Sequence, residues 1–326
     1  MNSGREKAAG MEATTLILMG RTGNGKSSTG NSIIGRNVFK PGFSFTSTTQ
    51  ECQLEQTSWK DGRILKVIDT PGLFDTNSLN STKEFFETHI AKCIELAKDG
   101  IHGVLYVVSV KNRFTPEEAG ILDSLQLLFG QDIINYVVLV FTGGDELEND
   151  DLTLEDYLSE CPPQLEEVLS RCNKRSVLFN NKTTSETKKE EQRTKLMNQI
   201  DNIIAKNGGK PYSNEMLRQA QENSEKFINR QTCHATSQKP YAEKELERMN
   251  AEHIKQLNSM VEEKMKSSVK LLQEELACEK QARREAQETA EKAIKFSEEL
   301  TRAQMMSQSN RNRSFPPRNR YYCPFL

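Results

Sequence analysis

The chain carries a glycine-rich segment near its start, where residues 20 to 27 read Gly-Arg-Thr-Gly-Asn-Gly-Lys-Ser. This segment fits the pattern G-x-x-x-x-G-K-[ST], in which backbone N–H groups surround a phosphate and the next helix adds a partial positive charge. Lys26 is predicted to reach the β- and γ-phosphates of a nucleotide, and Ser27 to bind Mg²⁺. The residues predicted to bind the phosphates are Gly20, Arg21, Thr22, Gly23, Asn24, Gly25, Lys26, Ser27 and Ser28.

A second group, Asp69 to Gly72, reads Asp-Thr-Pro-Gly and follows the apolar segment Ile64 to Ile68. We expect Asp69, at the end of a strand, to bind Mg²⁺ through water, and the N–H of Gly72 to approach the γ-phosphate. A threonine before the second strand is also expected to bind Mg²⁺ when the γ-phosphate is present. The candidates are Thr46, Thr48 and Thr49, although a Thr-rich tract is also ordinary at a strand edge.

The third group, Thr142 to Asp145, reads Thr-Gly-Gly-Asp and follows the apolar run Tyr136 to Phe141. The Asp145 carboxylate can accept hydrogen bonds from N1–H and the exocyclic amine of guanine, whereas adenine offers no such pair of donors. A site with this carboxylate rejects adenine because its polar group would stay unpaired. Gly143 stands where the common Asn/Thr-Lys-x-Asp box has a lysine that packs over the base. Base affinity is therefore expected to be weaker or to depend on another group.

Two asparagines, Asn180 and Asn181, follow the strand-like segment at residues 176 to 179. Asn180 and Asn181 are expected to contact the carbonyl or the ring face of guanine, and a simple turn is the alternative interpretation. The residues predicted to bind guanine are Thr142, Gly143, Asp145, Asn180 and Asn181. The predicted ligands are GTP or GDP with Mg²⁺, and Asp145 argues against ATP.

Strand-like and helix-like segments alternate from about residue 13 to residue 207, which predicts an α/β fold with a mostly parallel six-stranded sheet and helices on both faces. The Asp61-Gly62 turn between the second and third strands predicts an antiparallel hairpin at one edge. The strand candidates are residues 14–20, 53–59, 64–69, 103–110, 136–141 and 176–180. The helix candidates are residues 82–98, 116–129, 165–171 and 185–206.

Composition limits the classes of protein to consider. A length of 326 residues predicts roughly two domains. Hydrophobic residues make up 35% of the chain and charged residues 28%, which predicts that part of the chain is extended or solvated. The net charge of -2 gives no signal for nucleic acid. The seven cysteines form no C-x-x-C pair, so zinc is not expected, and their scatter fits a reducing cytosol. The most apolar runs are too short to span a bilayer.

The predicted organisation has five parts. These are a flexible N-terminus (1–12), the nucleotide-binding domain (13–210), a helical appendix or linker (211–240), a long helix (241–307) and a basic tail (308–326). The stretch from Tyr241 to Ser314 contains no Pro or Gly, and Glu, Lys, Gln and Ala dominate it. Its apolar residues change heptad frame as by a stutter, which predicts a coiled coil; a charged single helix is the alternative.

The last four residues, Cys-Pro-Phe-Leu, have the C-a-a-X form, and the final Leu predicts geranylgeranylation of Cys323. Upstream arginines would add electrostatic attraction to an anionic membrane. Pro324 departs from the aliphatic residue usual at its position, and a disordered basic tail is the alternative. The expected location is the cytoplasm, at the periphery of a membrane if Cys323 is prenylated. The arginines are Arg311, Arg313, Arg318 and Arg320.

These groups in this order resemble the immune-associated nucleotide-binding family, also called GIMAP or AIG-type GTPases, in its plant branch. The supporting segments are residues 20–33 (GRTGNGKSSTGNSI), residues 69–75 (DTPGLFD) and the extra box RFTPEE at residues 113–118. The resemblance covers about residues 12 to 210 and implies a P-loop GTPase domain. It also favours Thr49 as a ligand of Mg²⁺, because Thr49 to Cys52 fits the family's T-x-T-C stretch except at Glu51.

The family implies a switch protein related to septin-like GTPases, whose members dimerise through the nucleotide face and have helical C-terminal extensions. The expected partners are a second copy or higher oligomer, proteins bound by the C-terminal helix and a membrane surface, with no nucleic acid. Leu73 stands where small GTPases have a Gln that orients water, which predicts slow hydrolysis and leaves the catalytic residues unassigned. The alternative is a nucleotide-holding scaffold with negligible hydrolysis. An immune or stress role is a further expectation.

Overall fold

A computed structural model describes residues 13–40, 51–72, 83–234 and 241–312. The chain divides into two compact units, Met1–Lys266 and Ser267–Leu326. Several predictions concern positions outside the described residues, namely those on residues 1–12, Thr46, Thr48, Thr49, Leu73, Phe74, Asp75 and Cys323.

The first unit contains a six-stranded sheet with the order β2-β3-β1-β4-β5-β6. Only β2 runs antiparallel, in a hairpin with β3, and every other neighbouring pair is parallel. The predicted fold class and the hairpin at the Asp61-Gly62 turn are therefore confirmed. The strands are β1 Ala13–Met19, β2 Gln53–Ser58, β3 Ile64–Asp69, β4 Gly103–Ser109, β5 Val137–Thr142 and β6 Ser176–Phe179.

Helices follow most strands. The sequence pattern missed two six-residue helices, Gly144–Asn149 and Leu154–Ser159, because so short an element carries little periodicity. A 3-10 helix, Gln131–Tyr136, precedes β5. The α-helices are α1 Lys26–Ile34, α2 Lys83–Leu96, α3 Pro116–Phe129, α4 Gly144–Asn149, α5 Leu154–Ser159, α6 Pro163–Arg171, α7 Glu186–Lys206, α8 Glu215–His234 and α9 Tyr241–Asn312.

The centre of the sheet is buried on both faces. Every residue of β4 and β5 is buried, as expected for parallel strands covered by helices on either side. The edge strand β2 has no fully buried residue. Because parallel strands end at the same edge of a sheet, the loops after β1, β3, β5 and β6 converge there.

The segment after α7 packs on the same unit. Tyr212 forms an antiparallel bridge with Ile101, and its hydroxyl donates a hydrogen bond to the Phe129 carbonyl. In α8, Leu217 is fully buried. The start of α9 also contributes to this core through Leu257 and Val261.

In the second unit, the helix from residue 267 onward presents apolar side chains to solvent. Val269, Leu272 and Leu276 are each about half exposed. The coiled coil stays a prediction. Within the described residues, no helix has an apolar stretch long enough to cross a membrane.

Close packing of α1 on the sheet depends on Gly30. A Cβ at this position would lie 2.7 Å from the Phe39 ring and 2.9 Å from a Leu18 methyl group, both in the core. We expect Gly30→Ala to lower the free energy of unfolding by about 1–3 kcal/mol through overpacking. Gly120→Ala is the matched control, because Gly120 lies within α3 and a Cβ there meets nothing within 4 Å. Urea unfolding should show a higher stability for the control; equal loss in both variants would contradict this account.

His102, next to the first strand, makes the stability of the fold depend on pH. Its Nδ1 accepts a hydrogen bond from the Thr15 N–H at 3.1 Å, and burial lowers the pKa of His102 to about 4. Between pH 4 and about 6.5, the unfolded chain therefore binds more protons at His102 than the native chain does. The contribution of His102 to stability is complete above this pH range and is lost as the pH falls through it.

We expect His102→Gln to flatten the pH dependence of the free energy of unfolding between pH 4 and 6.5, relative to the wild type. Urea unfolding at a series of pH values measures this difference. Parallel profiles for the two proteins would show that His102 does not titrate differently in the two states.

Candidate nucleotide-binding site

The predicted phosphate loop joins β1 to α1 and depends on backbone that only glycine adopts easily. Gly20, Gly23 and Gly25 have φ angles of 138°, 87° and 89°, in the region that favours glycine. A Cβ at Gly20 would also lie 2.4 Å from the Val107 carbonyl oxygen. The loop therefore keeps its curvature, with α1 beginning directly after Gly25.

Lys26 lies in the first turn of α1, with 6% of its surface exposed. Its ammonium group donates hydrogen bonds to the carbonyl oxygens of Gly20, at 2.9 Å, and Arg21, at 3.1 Å. The positive charge is thus folded back over the loop, where the α1 N-terminus adds its partial positive charge. Arg21 and Ser28 are half-buried on either side.

The hydroxyl of Thr22 in this loop indicates whether the loop can accommodate a phosphate. The Thr22 Oγ1 atom is buried and forms no hydrogen bond within the part of the chain that the structure describes. A Cβ at Gly72 would lie only 2.1 Å from that oxygen. A buried donor without a partner costs about 1–3 kcal/mol, and a phosphate oxygen would satisfy it. The loop after β3 and the phosphate loop are therefore in direct contact at Gly72 and Thr22.

Ser27 and Asp69 come together although they are far apart in sequence. The Ser27 hydroxyl donates a hydrogen bond to Asp69 Oδ2 at 2.6 Å, and Asp69 is 1% exposed. Hydroxyl and carboxylate oxygens are the ligand types that Mg²⁺ prefers. The donor set thus fits the predicted cation, with Ser27 at the start of α1 and Asp69 at the end of β3.

Asn24 fastens the phosphate loop to its surroundings. Its side-chain amide donates hydrogen bonds to the Val107 carbonyl at 3.1 Å and to Glu118 Oε1 at 2.8 Å. Its backbone carbonyl accepts a hydrogen bond from the Thr142 hydroxyl at 2.7 Å. The side chains of Asn24 and Thr142, predicted to bind phosphate and guanine, thus have structural partners. Thr115 and Glu118 form a capping box at the start of α3.

Glu118 is the functional residue whose role sequence analysis missed, although it lies in the extra box at residues 113–118. The signal was present, because Thr-x-x-Glu before an apolar helix predicts a capping box. What the sequence did not indicate is that the carboxylate of Glu118 has a second partner, Asn24, and is 3% exposed.

Asp145 lies in the first turn of α4, three residues after the end of β5. Its Oδ2 atom accepts hydrogen bonds from Lys182 at 2.6 Å and Lys111 at 3.2 Å. Burial alone would raise the pKa of Asp145, but these two ammonium groups outweigh it and hold the pKa below its usual value. The carboxylate predicted to read guanine is therefore ionised at neutral pH and accepts hydrogen bonds only.

The two asparagines after β6 have partners inside the fold. The Asn181 amide donates to Thr29 Oγ1 at 3.0 Å and accepts from the Ser32 hydroxyl at 2.8 Å, which ties the loop to α1. Asn180 Oδ1 accepts from the Lys182 N–H at 3.0 Å. Both side chains thus support the loop beside Asp145, and their predicted contacts with guanine stay predictions.

Glu118 accepts hydrogen bonds from both Asn24 and the Thr115 N–H, and a substitution there tests whether this brace stabilises the phosphate loop. We expect Glu118→Gln to lower the free energy of unfolding by about 1–3 kcal/mol, because an amide cannot accept from both Asn24 and the Thr115 N–H and would leave a buried donor unpaired. Glu167→Gln, an exposed change of the same type within α6, is the control and should leave stability nearly unchanged. Equal urea midpoints for the Glu118 variant and the wild type would contradict the brace.

Comparison with known proteins gives the relationships of this chain. A sequence model of the AIG1 family matches residues 14–231. The chain is 41% identical to immune-associated nucleotide-binding protein 9 of Arabidopsis thaliana over 290 residues, covering 87% of this chain and 84% of that protein. It is 43% identical to protein 8 of the same series and organism, covering 74% of this chain and 69% of that protein.

Among solved structures, it is similar to Toc33 from Arabidopsis thaliana in complex with GDP and Mg²⁺, with 20% identity, a TM-score of 0.47, and coverage of 60% of this chain and 86% of that one. The family match over residues 14–231 and the 41% identity over most of both chains establish that the chain belongs to the AIG1 family.

Proposed function

We propose that this protein is a guanine-nucleotide-binding switch that hydrolyses GTP slowly. The observation that carries the proposal is that one edge of the sheet holds both the glycine-rich loop with Lys26 and the ionised carboxylate of Asp145. The first matches the chemistry of phosphates and the second that of the N1–H and amine of guanine. The names of the Arabidopsis relatives, as nucleotide-binding proteins, agree with this assignment.

Mg²⁺ would be held by Ser27 and Asp69, whose oxygens already lie within hydrogen-bond distance of each other. When bound, the cation would neutralise phosphate charge. Lys26 and the N–H groups of the loop would bind the phosphate oxygens, and the Thr22 hydroxyl would gain the partner that it lacks among the described residues. Thr49 remains the proposed threonine ligand from the sequence pattern.

Slow turnover is proposed from the residue after the Asp-Thr-Pro-Gly segment. Leu73 has no polar atom in its side chain and cannot orient a water molecule as the Gln of small GTPases does. Dimerisation through the nucleotide face, or a partner, would then supply the missing group; an arginine provided in this way is worth roughly 10³–10⁵ in rate.

The C-terminal part is proposed to report the nucleotide state. The exposed Val269, Leu272 and Leu276 follow a heptad-like spacing and suit a coiled coil with a second copy or another protein. Cys323 and the arginines before it suit attachment to the surface of a membrane after prenylation.

Asp145→Asn tests the guanine assignment. An asparagine amide cannot accept both guanine donors, but it can donate to the C2 carbonyl of xanthine, so we expect GDP affinity to fall at least 100-fold, by about 3 kcal/mol, and XDP affinity to rise above it. Isothermal titration with GDP, XDP and ADP measures this switch. Asp150→Asn, an exposed change at the end of the same helix, is the control. Wild-type protein that binds ADP as tightly as GDP would refute the proposal.

Hydrolysis and assembly can be tested together on the full chain. We expect single-turnover GTP hydrolysis to be slow at low protein concentration and to accelerate as the concentration rises. Sedimentation with GDP and with a non-hydrolysable GTP analogue should show more self-association with the analogue. Fast hydrolysis at every concentration would contradict slow intrinsic turnover, and equal self-association with both nucleotides would favour the scaffold that holds nucleotide without switching.

A further inference from the structure

We propose that Lys111, in the loop after β4, packs against the guanine ring and supplies the contact that the Lys of the common Asn/Thr-Lys-x-Asp box provides elsewhere. This inference rests on the proposed function, because it names a base-contacting residue of the same site. Lys111 belongs to none of the motifs that predicted the site.

The first observation is the space beside Gly143. Gly143 has a φ angle of 88° and stands at the lysine position of the box. A Cβ there would lie 2.9 Å from Val110 Cγ2 and 3.3 Å from both Cγ and Cε of Lys111. The stem of Lys111 therefore fills the volume that a side chain at position 143 would enter, and the glycine leaves room for it.

The second observation is that the backbone places Lys111 there. The Val110 N–H donates to the Thr142 carbonyl at 3.0 Å, so the loop after β4 continues along the end of β5. The Lys111 N–H donates to Ser109 Oγ at 3.3 Å, which turns the chain at that point. Lys111 thus reaches the base site through sheet pairing, from a different strand than the box.

The third observation is the pattern of charges around Asp145. Lys111 and Lys182 both contact Oδ2 of this carboxylate, and Lys111 also pairs with Glu146. A guanine edge needs both oxygens of Asp145, so at least one ammonium group must leave Oδ2 when the base binds. When Lys111 leaves Oδ2, its ion pair with Glu146 still holds it beside the site. The side chain of Lys182 is 66% exposed, so Lys111 is the lysine better placed to stay against the base.

The chemistry of a lysine suits this position. A guanine hydrogen-bonded edge-on to Asp145 presents its ring face to the neighbouring side chains, and a four-carbon stem with a terminal charge packs on such a ring. The contact does not read the donors of the base, so it adds affinity for any purine held there and leaves the choice of guanine to Asp145.

The experiment compares GDP and inorganic tripolyphosphate as probes on the full chain. We expect Lys111→Ala to weaken GDP binding roughly three- to thirtyfold and to leave tripolyphosphate binding unchanged, because the phosphate loop is intact. Lys111→Met keeps the stem without the charge and should recover part of the loss. Both Lys111 variants should keep the preference for GDP over XDP. Lys92→Ala, which removes a lysine of similar exposure on α2, is the control and should bind both probes as the wild type does.

The outcomes separate this inference from the proposed function. If wild-type protein prefers GDP to ADP but Lys111→Ala binds GDP as the wild type does, Lys111 does not contact the base. Equal loss for GDP and tripolyphosphate in Lys111→Ala would show a general effect on the loop and also overturn the inference. If wild-type protein shows no preference for GDP, the proposed function fails, and the assignment of Lys111 fails with it.

Discussion

The attachment of Asn24 to its neighbours is the interaction on which the rest of the site depends. The Asn24 side chain donates hydrogen bonds to the Val107 carbonyl in β4 and to Glu118 in α3, and its backbone carbonyl accepts one from the Thr142 hydroxyl in β5. A glycine-rich loop has more conformational freedom to lose than any other segment, so its shape must be imposed by its surroundings. Asn24, at 2% exposure, provides that restraint in the core.

The parallel sheet extends this restraint to the other residues of the site. Because β1, β3, β5 and β6 all end at one edge, Ser27 meets Asp69, and Asp145 lies beside the loop that Asn181 ties to α1. Each of these contacts bridges segments far apart in sequence. The site is thus a property of the sheet edge, and the packing of β4 and β5, buried on both faces, keeps that edge in place.

Charge is divided between the two halves of the edge. At the glycine-rich loop, the Lys26 ammonium group is held by backbone carbonyls of the loop itself. Around Asp145, Lys111 and Lys182 hold the carboxylate ionised, and Glu146 balances the charge of Lys111. The carboxylate is therefore kept charged by its neighbours, and a guanine bound as proposed would displace one of these ammonium groups from Oδ2.

The sequence by itself determined the sheet, because continuous apolar runs bounded by turn residues specify buried parallel strands. It also determined the phosphate loop, because the roles of the glycines and of Lys26 are local and follow from their spacing. It also indicated Asp69 and Asp145 through their positions after strands. The second partner of Glu118, the structural contacts of Asn181 and the position of Lys111 beside Gly143 were decided only by the tertiary structure. The physical reason is that these contacts join residues from different strands and helices, and their geometry follows from strand order and packing, which no local pattern of residues encodes.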